Sequence, residues 1–154
     1  MPQTLKFVVE YDVPADLIYR TLTDQMLICQ FTRSLAVSEP QPGGKLEMFG
    51  ATIVAEYKNL VENEKLELNW KFKDWENYCD LIITFENFDD SCRVSLDFSN
   101  IAEHDSFGGY IHVDKIEEGW RQNIFKNIYM VFGYHLKDKW LISDLSEIEL
   151  KSVR

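Results

Sequence analysis

Apolar and polar residues alternate with period two in four stretches of this chain. Leu5, Phe7, Val9 and Tyr11 share one strand face. Leu66, Leu68, Trp70 and Phe72 share another, opposed by Lys65, Glu67, Asn69 and Lys71. Cys79, Leu81, Ile83 and Phe85 repeat the pattern, as do Cys92, Val94, Leu96 and Phe98. Such alternation predicts an antiparallel sheet with one buried and one wet face. The turn NFDDS (residues 87–91) joins the last two stretches as a hairpin, with Cys92 opposite Phe85 and Cys79 opposite Phe98. KLEMFGATIVAEYKNLVENEK adds two strands, turning near Gly50 and again near Asn63. SEPQPGG (residues 38–44) is a turn, because Pro fixes φ and Gly supplies φ > 0.

Three segments have helical spacing instead. VPADLIYRTLT places Pro14 at the first helical position, with Leu17, Ile18 and Leu22 on one stripe. DQMLICQFTRS follows, with Leu27, Ile28 and Phe31 apolar and Asp24 as its N-cap. After a loop over residues 100–110, a long helix starts near His112 or Val113 and carries Ile116, Trp120, Ile124, Ile128, Val131 and Phe132. The order is one strand, two short helices, a run of about six strands and one long helix, an α+β arrangement. A curved sheet with one apolar face needs a cover, and only the last helix is long enough to supply it. Gly119 stands inside that helix, where it costs about 1 kcal/mol relative to Ala. The expectation is that Gly119 lets the helix backbone approach the sheet while Trp120 enters its concave side.

Composition narrows the picture. A chain of 154 residues fits one domain, and such a chain buries about 68–70% of its unfolded surface. Apolar residues make up 45% and aromatics 14%, enough for a core without staples. The net charge of −10 argues against nucleic acid and anionic membranes, which attract clustered Lys and Arg. It leaves room for a basic protein partner. The opening MPQTLKFVVE has no basic region followed by an apolar one, so no signal peptide is visible. No apolar run approaches the ~20 residues of a membrane span. Cys29, Cys79 and Cys92 form an odd set without CxxC spacing. In the predicted hairpin Cys79 and Cys92 stand about six residues apart along the ladder, or ~20 Å, too far to bridge. A soluble, cytoplasmic protein with reduced, buried thiols is expected.

Candidate chemistry is sparse. His104, His112 and His135 lack metal-ligand spacing, and no HExxH pattern occurs. The HDS tripeptide (residues 104–106) has triad residue types, but neighbours in one loop cannot hold triad geometry. GGK (residues 43–45) lacks the earlier glycine and the following Ser/Thr of a phosphate loop. No catalytic residue, no metal and no cofactor is expected. Trp70 falls on an apolar strand face and reads as core. Trp75 falls in a turn, where a ring either packs over an open end of the sheet or stands ready for a partner.

Several segments taken together, IYRTLTD, FTRS, GGKLEMFG, LNWKFKDW and EEGWRQNIFKNIYMVFGY, resemble the C-terminal domain of the activator of the 90-kDa heat-shock protein ATPase. The similarity runs in order from about Leu5 to Leu136. It implies the helix-grip fold of START domains and plant pollen allergens: a curved antiparallel sheet of about six or seven strands wrapped on a long C-terminal helix, with two short helices after the first strand. It also implies a co-chaperone that binds the 90-kDa heat-shock chaperone and favours its ATPase-competent conformation. The family pattern falls on Phe31, Thr32, Arg33, Gly43, Gly44, Trp70, Trp75, Gly119 and Trp120. Of these, Phe31, Gly43, Gly44, Trp70, Gly119 and Trp120 take structural roles, and Arg33 and Trp75 are the partner-binding candidates. Two-domain members of the family carry an N-terminal domain whose Asn- and Trp-rich opening motif nothing here matches, so only small stimulation is expected of this chain.

Residues 1–137 form the helix-grip domain in this reading, and residues 138–154 are an extension outside the family pattern. Trp140, Leu141, Leu145 and Ile148 lie close to helical spacing there, apolar surface that a solvated tail rarely holds. Docking on the domain, or weak self-association through this extension, is the expectation. Two other functions share the fold: a carrier of hydrophobic small molecules or lipids, and a small cyclase-type enzyme. Inward faces crowded by Trp70, Phe72, Phe85, Phe98 and Trp120 favour the co-chaperone over the carrier. The absence of a visible acid, base or nucleophile counts against the enzyme.

Overall fold

The computed structural model describes residues 1–137. The extension at 138–154, with its expected docking or self-association, lies outside the described residues. Strand β1 (Gln3–Tyr11) is followed by α1 (Ala15–Thr23) and α2 (Gln25–Thr32). Strands β2 (Val37–Ser38), β3 (Lys45–Met48), β4 (Ile53–Val61), β5 (Lys65–Phe72), β6 (Cys79–Phe88) and β7 (Ser91–Ile101) come next. The last helix runs through α3 (Val113–Gly119), a π-helical turn (Trp120–Phe125) and α4 (Lys126–Phe132), and β8 (Leu136–Lys137) ends the described chain. All strands join one antiparallel sheet in the order β2-β3-β4-β5-β6-β7-β1-β8. This is the helix-grip arrangement, with eight strands among the described residues, the two-residue β2 and β8 standing at its ends.

Period-two alternation places its residues as expected. Leu5, Phe7, Val9 and Tyr11 are buried on β1, and the matching sets on β5, β6 and β7 follow, with Phe72 half-buried at a strand end. The β6–β7 register differs from expectation by two residues: Asn87, not Phe85, faces Cys92. Asp89 adopts φ 54, so Asp89 and Asp90 alone turn the chain between Phe88 and Ser91. A two-residue shift preserves the faces, because side-chain direction repeats every two residues. Cys79 pairs with Trp70 across β5–β6, Cys92 pairs with Asn87, and all three cysteines are free thiols.

Pro14 precedes α1 with extended backbone (ψ 153) instead of occupying its first turn. Asn87 from β6 caps this helix from outside, its Oδ1 accepting from Ala15 N–H at 2.9 Å. Asp24 caps α2 as expected, accepting from Leu27 N–H at 3.0 Å.

The C-terminal helix has a stripe at every fourth residue: Ile116, Trp120, Ile124, Ile128, all buried. On a regular α-helix such a stripe drifts by about 40° per step, since 3.6 residues make a turn. The π-helical turn widens the helix where the stripe needs it, and Lys126 N–H reaches back to Arg121 C=O. Phe125 and Arg121 turn inward as well. Gly133 ends the helix in the left-handed conformation, φ 75.

Candidate functional site

Trp70 sits at the centre of the concave face. Its ring meets Phe72 at 4.9 Å, Phe98 at 5.4 Å, Trp75 at 5.5 Å and Trp120 at 6.0 Å. These edge-on and tilted contacts are favourable aromatic geometries. Of the two alternatives open to Trp75, packing over the end of the sheet is the one the structure has, and with only 5% exposure the residue is not a surface contact. Its N–H donates to Phe72 C=O at 3.0 Å, which folds the turn back so that the ring closes the end of the sheet. The apolar end of β5 needed a cover, and the ring nearest in sequence supplies it.

Trp120 is 3% exposed and enters the concave side against Phe98 and Phe125. Its indole Nε1 is buried without a hydrogen-bond partner, a condition that costs about 1–3 kcal/mol. Gly119 overturns its expected role. Its backbone is ordinary α-helix, φ −61 and ψ −45, and a Cβ placed there would have no atom within 4 Å. The glycine does not serve a close helix–sheet approach. It leaves space.

That space is part of a cleft of about 360 Å³ bounded by Phe49, Thr52, Ile53, Phe72, Gly119, Trp120, Asn123 and Ile124. The far wall is the β3–β4 turn, where Phe49, Gly50 and Ala51 take φ values of 55, 61 and 69 in succession. Left-handed backbone is strained for Phe and Ala, and such strain persists only where surrounding structure enforces it. Gly50 N–H donates to Leu35 C=O at 3.0 Å and ties this turn to the segment after α2.

Asn123 also lines a second groove of about 500 Å³, between the end of α2 and the face of α4. Phe31, Met130 and Val131 are its apolar parts, and Arg33 and Lys126 its charged ones. Arg33 is exposed and closes α2 in the left-handed conformation, φ 53. Among the described residues no carboxylate lines either recess.

Other expected positions are simpler. Phe31 is buried under α2. Gly43 has φ +86, and a Cβ on Gly44 would lie 1.9 Å from the Glu39 carbonyl oxygen. Burial pushes the Cys79 thiol up to about 12, aided by the Asp80 charge, and the Cys92 thiol up to about 11. Burial likewise lifts the Tyr57 phenol to about 12, against the opposing effect of its 2.8 Å hydrogen bond with Ser38. Among the described residues no three His, Cys, Asp or Glu side chains converge as a metal would require.

The structure thus places Arg33 on the surface and removes Trp75 from it. Sequence reasoning missed Phe49, Thr52, Asn123, Lys126 and Met130, which belong to elements far apart in the chain. One signal was available: a helix glycine beside a tryptophan.

Comparison with known proteins puts this geometry in context. Residues 12–133 match the family described as Activator of Hsp90 ATPase homolog 1-like protein. The Activator of 90 kDa heat shock protein ATPase homolog 1 of Mus musculus is 25% identical over 119 residues, 76% of this chain and 33% of that protein. The Dictyostelium discoideum homolog is 25% identical over 138 residues, 88% of this chain and 34% of that one. The chain therefore spans about a third of the length of the curated relatives it matches. The crystal structure of an HSP90 activator from Plasmodium falciparum superposes with TM-score 0.83 at 26% identity, covering 87% of this chain and 99% of that one. A Chromobacterium violaceum protein at 16% identity and TM-score 0.64 shares the fold, with 83% and 96% covered.

Proposed function

Since this chain belongs to the Activator of Hsp90 ATPase homolog 1-like family, we propose that it is a co-chaperone: it binds the 90-kDa heat-shock chaperone and modulates that partner's ATPase without being an enzyme itself. The observation that carries this reading is the family match over residues 12–133, on a fold shared nearly end to end with the Plasmodium falciparum activator. Arg33 is the contact residue of the sequence reading that remains exposed. Small stimulation of ATP turnover by this chain is part of the proposal.

The test is a titration of the chaperone from the same source, following direct binding and ATP turnover together. Binding in the micromolar range is expected, about −8 kcal/mol. Arg33→Ala should weaken it and leave the melting transition in place. Absence of both binding and stimulation at ~100 μM chain, well above such a constant, would overturn the reading.

The cleft of about 360 Å³ supports a second reading, a carrier of hydrophobic small molecules or lipids, since ligand pockets start near 300 Å³. Native mass spectrometry of the purified protein decides between them. A retained apolar molecule at near-equimolar level favours the carrier.

A further inference from the structure

The cleft beside Gly119 and the groove at Arg33 both border Asn123, so the two recesses neighbour each other along the C-terminal helix as a track of socket and groove. From Gly119 to Lys126 the helix advances about 10 Å, the span of a few residues of extended chain. One end of the track is an apolar socket, walled by Phe49, Ile53, Phe72 and Trp120. The other end presents Arg33 and Lys126, with no carboxylate among the described residues that line it, in a chain whose net charge is −10. Cations gathered on a strongly acidic protein select an acidic occupant, because the remaining surface repels one.

The rim distinguishes a protein segment from a small molecule. Met130 at the far end of the groove is 69% exposed. A small ligand held in the socket would leave it in water. A polypeptide lying along the track would cover it. An apolar anchor surrounded by contacts that exclude water is how protein interfaces concentrate their binding energy.

We propose that this track docks a segment of the partner chaperone that presents one apolar side chain to the socket beside Trp120 and carboxylates to Arg33 and Lys126. The inference rests on the co-chaperone reading and names the surface that serves it. Gly119 is the residue that keeps the socket open: a larger side chain would project into the space in which a Cβ meets nothing. The strained Phe49–Gly50–Ala51 turn holds the opposite wall.

Gly119→Leu provides the test, because it should block the socket while favouring the helix. Binding of the full-length chaperone, with a non-hydrolysable ATP analogue present, is measured for the natural chain, for Gly119→Leu and for Lys126→Glu. The expected result is at least a tenfold loss of affinity for Gly119→Leu, with a melting temperature equal to or above that of the natural chain. Lys126→Glu should weaken binding at low salt more than at high salt. Unchanged affinity for both variants, with the natural chain still binding, overturns the docking track and leaves the co-chaperone reading standing. No binding by the natural chain overturns both. An apolar small molecule that accompanies the natural chain and is missing from Gly119→Leu assigns the socket to a carrier instead.

Discussion

At the scale of single residues, two tryptophans with different expectations end in the same core. Trp75 lies in a turn, and turns are normally surface, so the sequence left packing and partner contact equally open. The structure decides through neighbours: Trp70 and Phe72 offer their edges and faces at 5.5 and 5.6 Å. Trp75→Ala should accordingly cost roughly 3–5 kcal/mol, the range for truncating a buried large aromatic. Urea denaturation showing a loss below about 1 kcal/mol would return the ring to the surface. Trp120→Ala should cost roughly the same, offset in part because its unpartnered N–H disappears with the ring. Side-chain identity predicted burial where a period-two or helical pattern surrounded it. For Trp75 no pattern did, and only the three-dimensional position of the strand end could answer.

At the scale of elements, most of the fold was legible. Alternation marked β1, β5, β6 and β7, and Asp24 marked the start of α2. Removing that cap, Asp24→Ala, should cost about 1 kcal/mol, visible as a shift in the urea midpoint at constant slope. Less legible was the π-helical turn, since its extra residue changes the geometry without changing the residue types. The every-fourth-residue stripe from Ile116 to Ile128 hinted at it. The two-residue strands β2 and β8 carry too few residues to show a period at all. The docking track was illegible for a related reason: it is assembled from the end of α2, a hairpin turn and one face of the last helix. The elements also set thiol chemistry. Cys79 and Cys92 sit inside β6 and β7 with thiols raised by burial, whereas Cys29 on α2 is only half-buried. Thiolate is the reactive form, so iodoacetamide at pH 8 should label Cys29 first and the other two only on unfolding. Mass mapping of the labelled sites checks this.

At the scale of the whole molecule, the same buried groups govern alkaline stability. The thiols rise from 9.0 to about 12 and about 11, and the Tyr57 phenol from 10.0 to about 12. Above pH 9 the unfolded chain releases these protons first and the folded chain keeps them, so it is the unfolded state that gains from rising pH. Stability from these groups is complete below pH 9 and declines as pH climbs toward 11–12. Melting temperatures measured from pH 8 to 11 should fall progressively, and Cys79→Ala or Cys92→Ala should flatten the fall. Partner association belongs to this scale too. Surface charges are screened within ~8 Å at 0.15 M salt, so chaperone affinity should drop between 50 and 300 mM NaCl. Affinity unchanged over that range would remove charge from the account.

The two glycines at 44 and 119 carry a consequence for inheritance. Any side chain on Gly44 collides with the Glu39 carbonyl at 1.9 Å, whereas one on Gly119 meets open space. A saturation library sorted for cellular abundance should therefore return almost only glycine at 44 and a wide alphabet at 119. Sorting the same library for partner engagement should narrow 119 and change nothing at 44. One glycine is held by the need to fold, the other by the need to be met, and selection can tell them apart without a structure.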